Sequence, residues 1–388
     1  MNAKELRARP NLERFRKLAQ FFLEAYKTGD AAAMRQLQAH FHADEPIPWE
    51  AFRADVQKRL RKSNRGPRFA LGDAEFLVAQ SNGFESWLKL RKHIEAVARK
   101  NSPVALFEEA ADAVIAGDIA KLRHMLREHP KLVRARSTRT HRSTLLHYVS
   151  ANGVEDFRQK TPKNIVDVAK ILIDAGAEVD AENNPGRGTT VGLIATSYHP
   201  AAAGVQIALL ELLLDSGASP DGLPSGWNPL TAALANGRGD AAAYLAKRGA
   251  KLDLEGSAGV GRLDVVQSFL TKGGRLRGGA TKEQLKSGFA WACEFGHTRV
   301  VEFLLDRGMT VDDRLRHHNQ NALHWAAYGG HLELVKLLLS RGARVDSKDE
   351  THTGTPLEWA VYALRERPPE FKDGKYDAVI KVLSAASS

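Results

Sequence analysis

The sequence predicts an all-α solenoid of stacked helical hairpins, and three observations carry that expectation. Residues 321–346 (NALHWAAYGGHLELVKLLLSRGARVD) read as one complete unit. A short helix opens at Asn321 and stops at Gly329-Gly330-His331. A second helix, 332–339, follows and is apolar around most of its circumference. A helix that apolar needs cover on more than one side, so it has to lie between copies of itself. Glycines suited to left-handed helix ends recur at 176, 217, 249, 273, 308 and 342, spaced 41, 32, 24, 35 and 34 residues apart. Trp291, Trp325 and Trp359 recur at intervals of 34 residues, so stacking of units brings one ring above the next.

Composition sets the outer limits. A chain of 388 residues suits two or three compact domains or one long array. An apolar fraction of 43% excludes global disorder. No 18-residue apolar run exists, so no membrane span is expected. Met1 to Pro10 is charged and lacks an apolar core, so no secretory signal is expected. The single cysteine, Cys293, forbids an internal disulfide and fits a reducing compartment, which places the chain in the cytoplasm. The net charge of +10 is uneven: residues 1–100 hold 20 basic and 12 acidic side chains (+8), against 36 and 34 (+2) in residues 101–388. Such a split marks a basic N-terminal helical region, 1–100, ahead of a repeat domain, 101–388.

Taken in order, Asn11 to Lys27 is amphipathic, with Leu12, Phe15, Leu18, Phe21, Phe22 and Tyr26 at helical spacing. Gly29-Asp30 breaks it and starts a helix over 31–40. Pro46 and Pro48 mark a loop, Trp49 to Lys62 a third helix, and residues 64–67 a turn. Helices over 73–80 and 85–100 follow, the latter turning Trp87, Leu88, Leu90 and Ile94 inward. Gly29-Asp30 with Met34 and Leu37 echoes Gly117-Asp118 with Leu122 and Met125 at a constant offset of 88, so the front holds a degenerate pair of the same kind.

From Ser102 the pairs become regular. The first spans 105–116 and 119–129. The second opens at Thr144-Leu145-Leu146-His147 and carries an insertion at 155–163. The third opens at Thr189-Thr190 and carries an insertion at 198–204. The fourth opens at Asn228-Pro229-Leu230, and the fifth ends at Gly273. The sixth ends at Arg307-Gly308, and the seventh is the 321–346 unit. The eighth opens at Thr355-Pro356-Leu357 and is interrupted by a proline-containing loop, 365–374. The 24-residue interval leaves no room for a loop between Asp253 and Gly261, so a gap is expected there.

A period near 33 residues with a T-P-L-H-like opening resembles the ankyrin repeat over residues 102–388, most clearly at 321–346, 355–359 and 296–312. The segment 71–90 (LGDAEFLVAQSNGFESWLKL) is similar to a helical extension that precedes such repeats in many bacterial proteins, which implies a bacterial source. The resemblance implies helix-turn-helix repeats joined by short hairpin loops. It also implies a concave face, made of first helices and loop tips, that docks a protein partner. Carried onto this chain, the tips are 139–142, 225–227, 316–320 and 350–353. It further implies that His147 and His324 order their turns.

The partner-facing candidates on that basis are Trp227, Arg316, His317, His318, Gln320, Tyr328, His352 and Tyr362. Trp227 stands out as an aromatic between Gly226 and Asn228-Pro229, in a turn where no helix is expected to bury it. Arg316-His317-His318 has no acid beside it and suits an acidic partner. The tryptophan ladder reads either as core filling between first helices or as an aromatic strip in the groove.

The competing readings are weaker. Lys58, Arg59, Arg61, Lys62, Arg65 and Arg68 form a run of six cations without an acid, which suits phosphates. No aromatic interleaves it, so base stacking is unsupported, and nucleic acid remains the alternative partner. His40 with His42, and His317 with His318, lack the further ligands a zinc site needs, so no metal is expected. The glycine-rich stretch 273–279 lacks the lysine and flanking strand of a phosphate loop, so no cofactor is expected. No nucleophile elbow or metalloprotease motif occurs. An enzyme is the least favoured reading and needs a pocket near the shortened repeat, Gly256 to Gly261. The expected protein is thus a monomeric, non-catalytic binding scaffold.

Overall fold

The computed structural model describes residues 11–30, 49–63, 69–184, 188–224, 226–313, 315, 320–368 and 371–387. Among these the chain is helical without a named strand; isolated bridges join Leu270 with Leu276 and Leu315 with Gln320. The chain divides into two compact units, Met1–Pro185 and Gly186–Ser388.

The first unit opens with the helix Leu12–Thr28. Asn11 caps it by accepting a hydrogen bond from Glu13 N–H at 2.9 Å, and Gly29 ends it at φ 69°. Its Phe15, Leu18, Ala19, Phe22 and Ala25 fall on one stripe and are buried. The stripe packs with Phe52, Val56 and Leu60 of Trp49–Lys62, with Leu71–Ser81, and with Leu90 and Ile94 of Trp87–Val97. Each fully buried Phe, Leu, Ile or Val side chain among them contributes about 1.5–3 kcal/mol. The expected 31–40 helix lies outside the described residues. Leu88, expected inside, is 48% exposed, because Ser86 starts the last helix one residue before Trp87 and sets Leu90, His93 and Ile94 on the inner face instead.

Pro103–Ala116 and Ile119–Glu128 form the first pair. Ser102 and Asp118 cap them, and Gly117 turns between them at φ 68°. The second pair begins with a 3-10 turn, Leu145–Ser150, rather than an α-helix, and continues with Ile165–Asp174. The insertion between its two arms forms a short 3-10 turn, Asp156–Arg158.

In Gly186–Ser388 the solenoid is explicit. The first helices Thr190–Thr196, Pro229–Ala235, Leu254–Gly259, Lys282–Glu294, Ala322–Tyr328 and Pro356–Glu366 each pack on the next. The second helices Leu263–Ser268, Thr298–Leu305, Leu332–Ser340 and Tyr376–Ala386 do likewise. A continuous core runs between the rows, including Leu254, Phe289, Cys293, Leu304, Leu323, Leu334 and Val379. The expected gap is present: Asp253 directly caps Leu254–Gly259 by accepting from Gly256 N–H at 2.7 Å, with no finger before it.

Candidate functional site

The first helices of Gly186–Ser388 present a row of large aromatic rings. Trp325 and Trp359 lie 5.5 Å apart, centroid to centroid, and Tyr328 sits 6.5 Å from the former and 5.8 Å from the latter, all edge to face. Trp325, Tyr328 and Trp359 are half-buried, and Tyr362, one turn past Trp359, is 51% exposed. The ladder is therefore mixed: Trp291 is 3% exposed and belongs to the core, whereas the later rungs reach the surface. At the other end of the row a shallow depression of about 420 Å³ is lined by Trp227, Thr231, Ala232, Glu255, Ser287 and Trp291, among others.

The last finger is built on one carboxylate. Asp349 accepts from the backbone N–H groups of Thr351, His352 and Gly354 at 2.8–2.9 Å and from Trp359 Nε1–H at 3.0 Å. Although burial opposes it, these donors hold the Asp349 carboxyl below its ordinary range. The turn thereby presents His352 to solvent and fixes the Trp359 indole.

Other candidates fall differently. Trp227 is half-buried, and a helix does cover it: a Cβ on Gly192 would lie 2.8 Å from its ring, and one on Gly188 2.5 Å. The expectation of an indole standing free in a turn is thus corrected; the two glycines leave the space in which it packs. Gln320 is 4% exposed, a correction to its place among partner-facing residues, because its carbonyl closes the finger by accepting from Leu315 N–H at 2.7 Å. Arg316, His317 and His318 lie outside the described residues. Of the basic run, Lys58, Arg61 and Lys62 are exposed and Arg59 pairs with Asp55 at 2.8 Å, while Arg65 and Arg68 lie outside the described residues.

Gly256 to Gly261, the stretch considered for an active site, is filled. A Cβ at Gly259 would meet Leu234 at 2.4 Å, and one at Gly261 would meet His297 at 2.6 Å. His147 takes Thr144 N–H on Nδ1 at 3.0 Å and donates Nε2–H to Ala181 O at 2.9 Å. His324 repeats the arrangement with Asn321 N–H at 3.3 Å and Gly354 O at 3.1 Å. His297 and His331, also 34 residues apart, reach Gly259 O at 3.0 Å and Glu294 O at 2.6 Å.

Sequence reasoning missed a cluster of buried charge in Met1–Pro185. The 139–142 finger does not project as a tip: Arg139 is 8% exposed and points inward. Its Nη1 lies 2.7 Å from Glu108 and 2.8 Å from Glu155. Arg158, from the insertion, reaches Glu108 at 2.6 Å and Asp112 at 2.7 Å. Burial raises the pKa of each carboxyl, but Arg139 and Arg158, with His141 also beside Glu155, override it and hold both Glu108 and Glu155 below the ordinary range. Glu108 stands 31 residues from Arg139 and 50 from Arg158, so no local motif announces those pairs. The one hint is the insertion itself, which brings Glu155 and Arg158.

Among the described residues no group of three or more His, Cys, Asp or Glu side chains forms a metal cluster, and no helix is long and apolar enough to cross a membrane. Burial pushes the Cys293 thiol up, away from reactivity. No curated protein matches the chain. The family model described as ankyrin repeats (3 copies) matches residues 257–349, which hold the tryptophan rungs 291 and 325 and the histidines that tie each unit to the one before. With the stacked first helices and the T-P-L-H-type histidine turns, this match shows that the chain carries ankyrin repeats.

Proposed function

We propose that the chain is a non-catalytic scaffold that docks a protein partner on the aromatic row of Gly186–Ser388. Ankyrin repeats are protein–protein interaction modules as a class. The observation that carries the reading is the edge-to-face cluster Trp325–Tyr328–Trp359 leading to the 51% exposed Tyr362. Rigid aromatic surfaces with small entropic cost are the usual anchors of protein interfaces. The rings are held from behind by core packing and by Asp349, so the face is preorganised. An acidic partner suits Arg365, which is exposed with its guanidinium 5.5 Å from the Tyr362 ring, and the sequence run Arg316-His317-His318, which has no acid beside it. A standard interface would bury on the order of 1,600 Å² in total.

Site-specific photocrosslinking tests the reading. A photoreactive phenylalanine at Tyr362 or His352 should capture one discrete partner band in extract from the source cells. The same probe at Lys336, on a second helix, should not. Capture at Lys336 alone would move the docking face to the other side of the repeats.

A further inference from the structure

We propose that the Met1–Pro185 unit holds a small uncharged molecule, a flat apolar body bearing a carboxamide or an equivalent paired donor and acceptor. The site is a pocket between the N-terminal helices and the insertion that follows Val154. This inference is independent of partner docking on the other unit. The pocket measures about 260 Å³. At about 30 Å³ per water-sized group, that admits roughly nine non-hydrogen atoms. Phe15, Phe84, Leu90, Ile94, Val154 and Phe157 supply apolar walls. His93, Arg139, His141 and Glu155 gather as the polar lining. An apolar cavity with a few convergent polar groups is the usual form of a small-molecule site.

Charge decides the ligand class. Arg139 Nη1 is spent on Glu108 Oε1 at 2.7 Å and Glu155 Oε1 at 2.8 Å. Arg158 Nη1 answers Glu108 Oε2 at 2.6 Å and Glu155 at 3.4 Å. Two buried arginines therefore balance two buried glutamates, so the fully buried set carries no net charge. Asp112 pairs with Arg158 at 2.7 Å, and Asp156 is exposed to water at the mouth. His93 is neutral as well: burial, then the charge of Arg139, pushes its pKa down to about 4, and Thr138 Oγ1 holds its Nδ1 at 2.7 Å.

Gln80, Ser81, Asn82 and Asp156 also line the pocket, but two of its buried side-chain atoms have no hydrogen-bond partner among the described residues, one a donor and one an acceptor. Ser143 N–H donates to His141 Nδ1 at 3.1 Å, which puts the ring proton on Nε2. That Nε2 lies 3.7 Å from Glu155 Oε1, beyond hydrogen-bond reach, and is buried without a hydrogen-bond partner among the described residues. Glu155 Oε2 is likewise buried without one, on a side chain 8% exposed. Buried polar atoms of this kind normally find partners. A carboxamide offers its carbonyl to the imidazole N–H and its N–H to the carboxylate within one planar group. A carboxylate has no donor for Glu155 and repels it. An amidinium has no acceptor for His141.

The test titrates the full chain with benzamide, benzoate and benzamidine, following the His93 and His141 ring resonances by NMR. Benzamide is expected to shift both rings saturably and to bind at least tenfold tighter than either charged analogue. His141→Phe removes the donor while leaving the arginine pairs intact, and should weaken benzamide tenfold or more. Val154→Trp fills the apolar end and should abolish binding, which keeps a second arm if His141→Phe fails to fold. Tyr362→Ala should change nothing. A preference for benzoate or benzamidine, equal affinity for all three, or no saturable shift with benzamide overturns the proposal.

Discussion

His147 shows how one residue carries a turn and a pH response together. Its ring joins Thr144 to Ala181 and is fully buried, and burial pushes its pKa down to about 3; His93 is pushed down to about 4. Both fall below the ordinary value of 6.5, so the unfolded chain binds more protons at mildly acid pH. Their contribution is complete above pH 6.5 and is lost as pH falls toward the folded values, at up to about 1.4 kcal/mol per pH unit for each ring. Urea unfolding at pH 7 and pH 5.5 should show the lower stability at pH 5.5. The turn role of His147 and His324 was legible from the T-P-L-H pattern. The role of Arg158 was not, since Glu108 and Asp112, its shorter contacts, lie on a helix 50 and 46 residues earlier. Arg158→Met leaves Glu108 and Glu155 short of countercharge in a buried site. It should cost about 3–5 kcal/mol, measured by urea denaturation.

Element boundaries followed capping chemistry that the sequence displays. Ser102, Asp118, Asn228 and Thr355 stand where the helices begin, and Gly29 and Gly117 where they end. The missing finger was legible from the 24-residue glycine spacing, and Asp253 caps the next helix directly. Side-chain placement within turns was less legible. Trp227 reads as exposed because nothing local covers it, but Gly188 and Gly192 from the preceding repeat make room for its ring. Gly192→Ala puts a methyl 2.8 Å from that ring, so the indole has to move. We expect a loss of about 1–3 kcal/mol with a red shift of tryptophan emission as Trp227 meets water. An unchanged spectrum and melting temperature would place the indole elsewhere.

Across the stack of Gly186–Ser388, repeat register decides which identical positions are buried. Ala327 is fully buried, whereas Val361, 34 positions on, is 49% exposed. Val361→Lys should therefore change stability by less than about 0.5 kcal/mol, while Ala327→Lys should prevent folding or cost more than about 4 kcal/mol. Circular dichroism melts of the two variants check this. The same register puts Tyr328 half-buried and Tyr362 in the open at the end of the aromatic row. The row of aromatics was legible as a repeat. Its division into core rung and surface rung was not, because both use tryptophan at the same spacing.

The most direct test of partner docking is isothermal titration of the partner captured by crosslinking. Wild type, Tyr362→Ala and Lys336→Ala are compared at equal melting temperature. Docking on the aromatic row predicts a Kd at least tenfold weaker for Tyr362→Ala, about 1.4 kcal/mol or more, with Lys336→Ala unchanged. Unchanged affinity for Tyr362→Ala, with loss in Lys336→Ala, would contradict it.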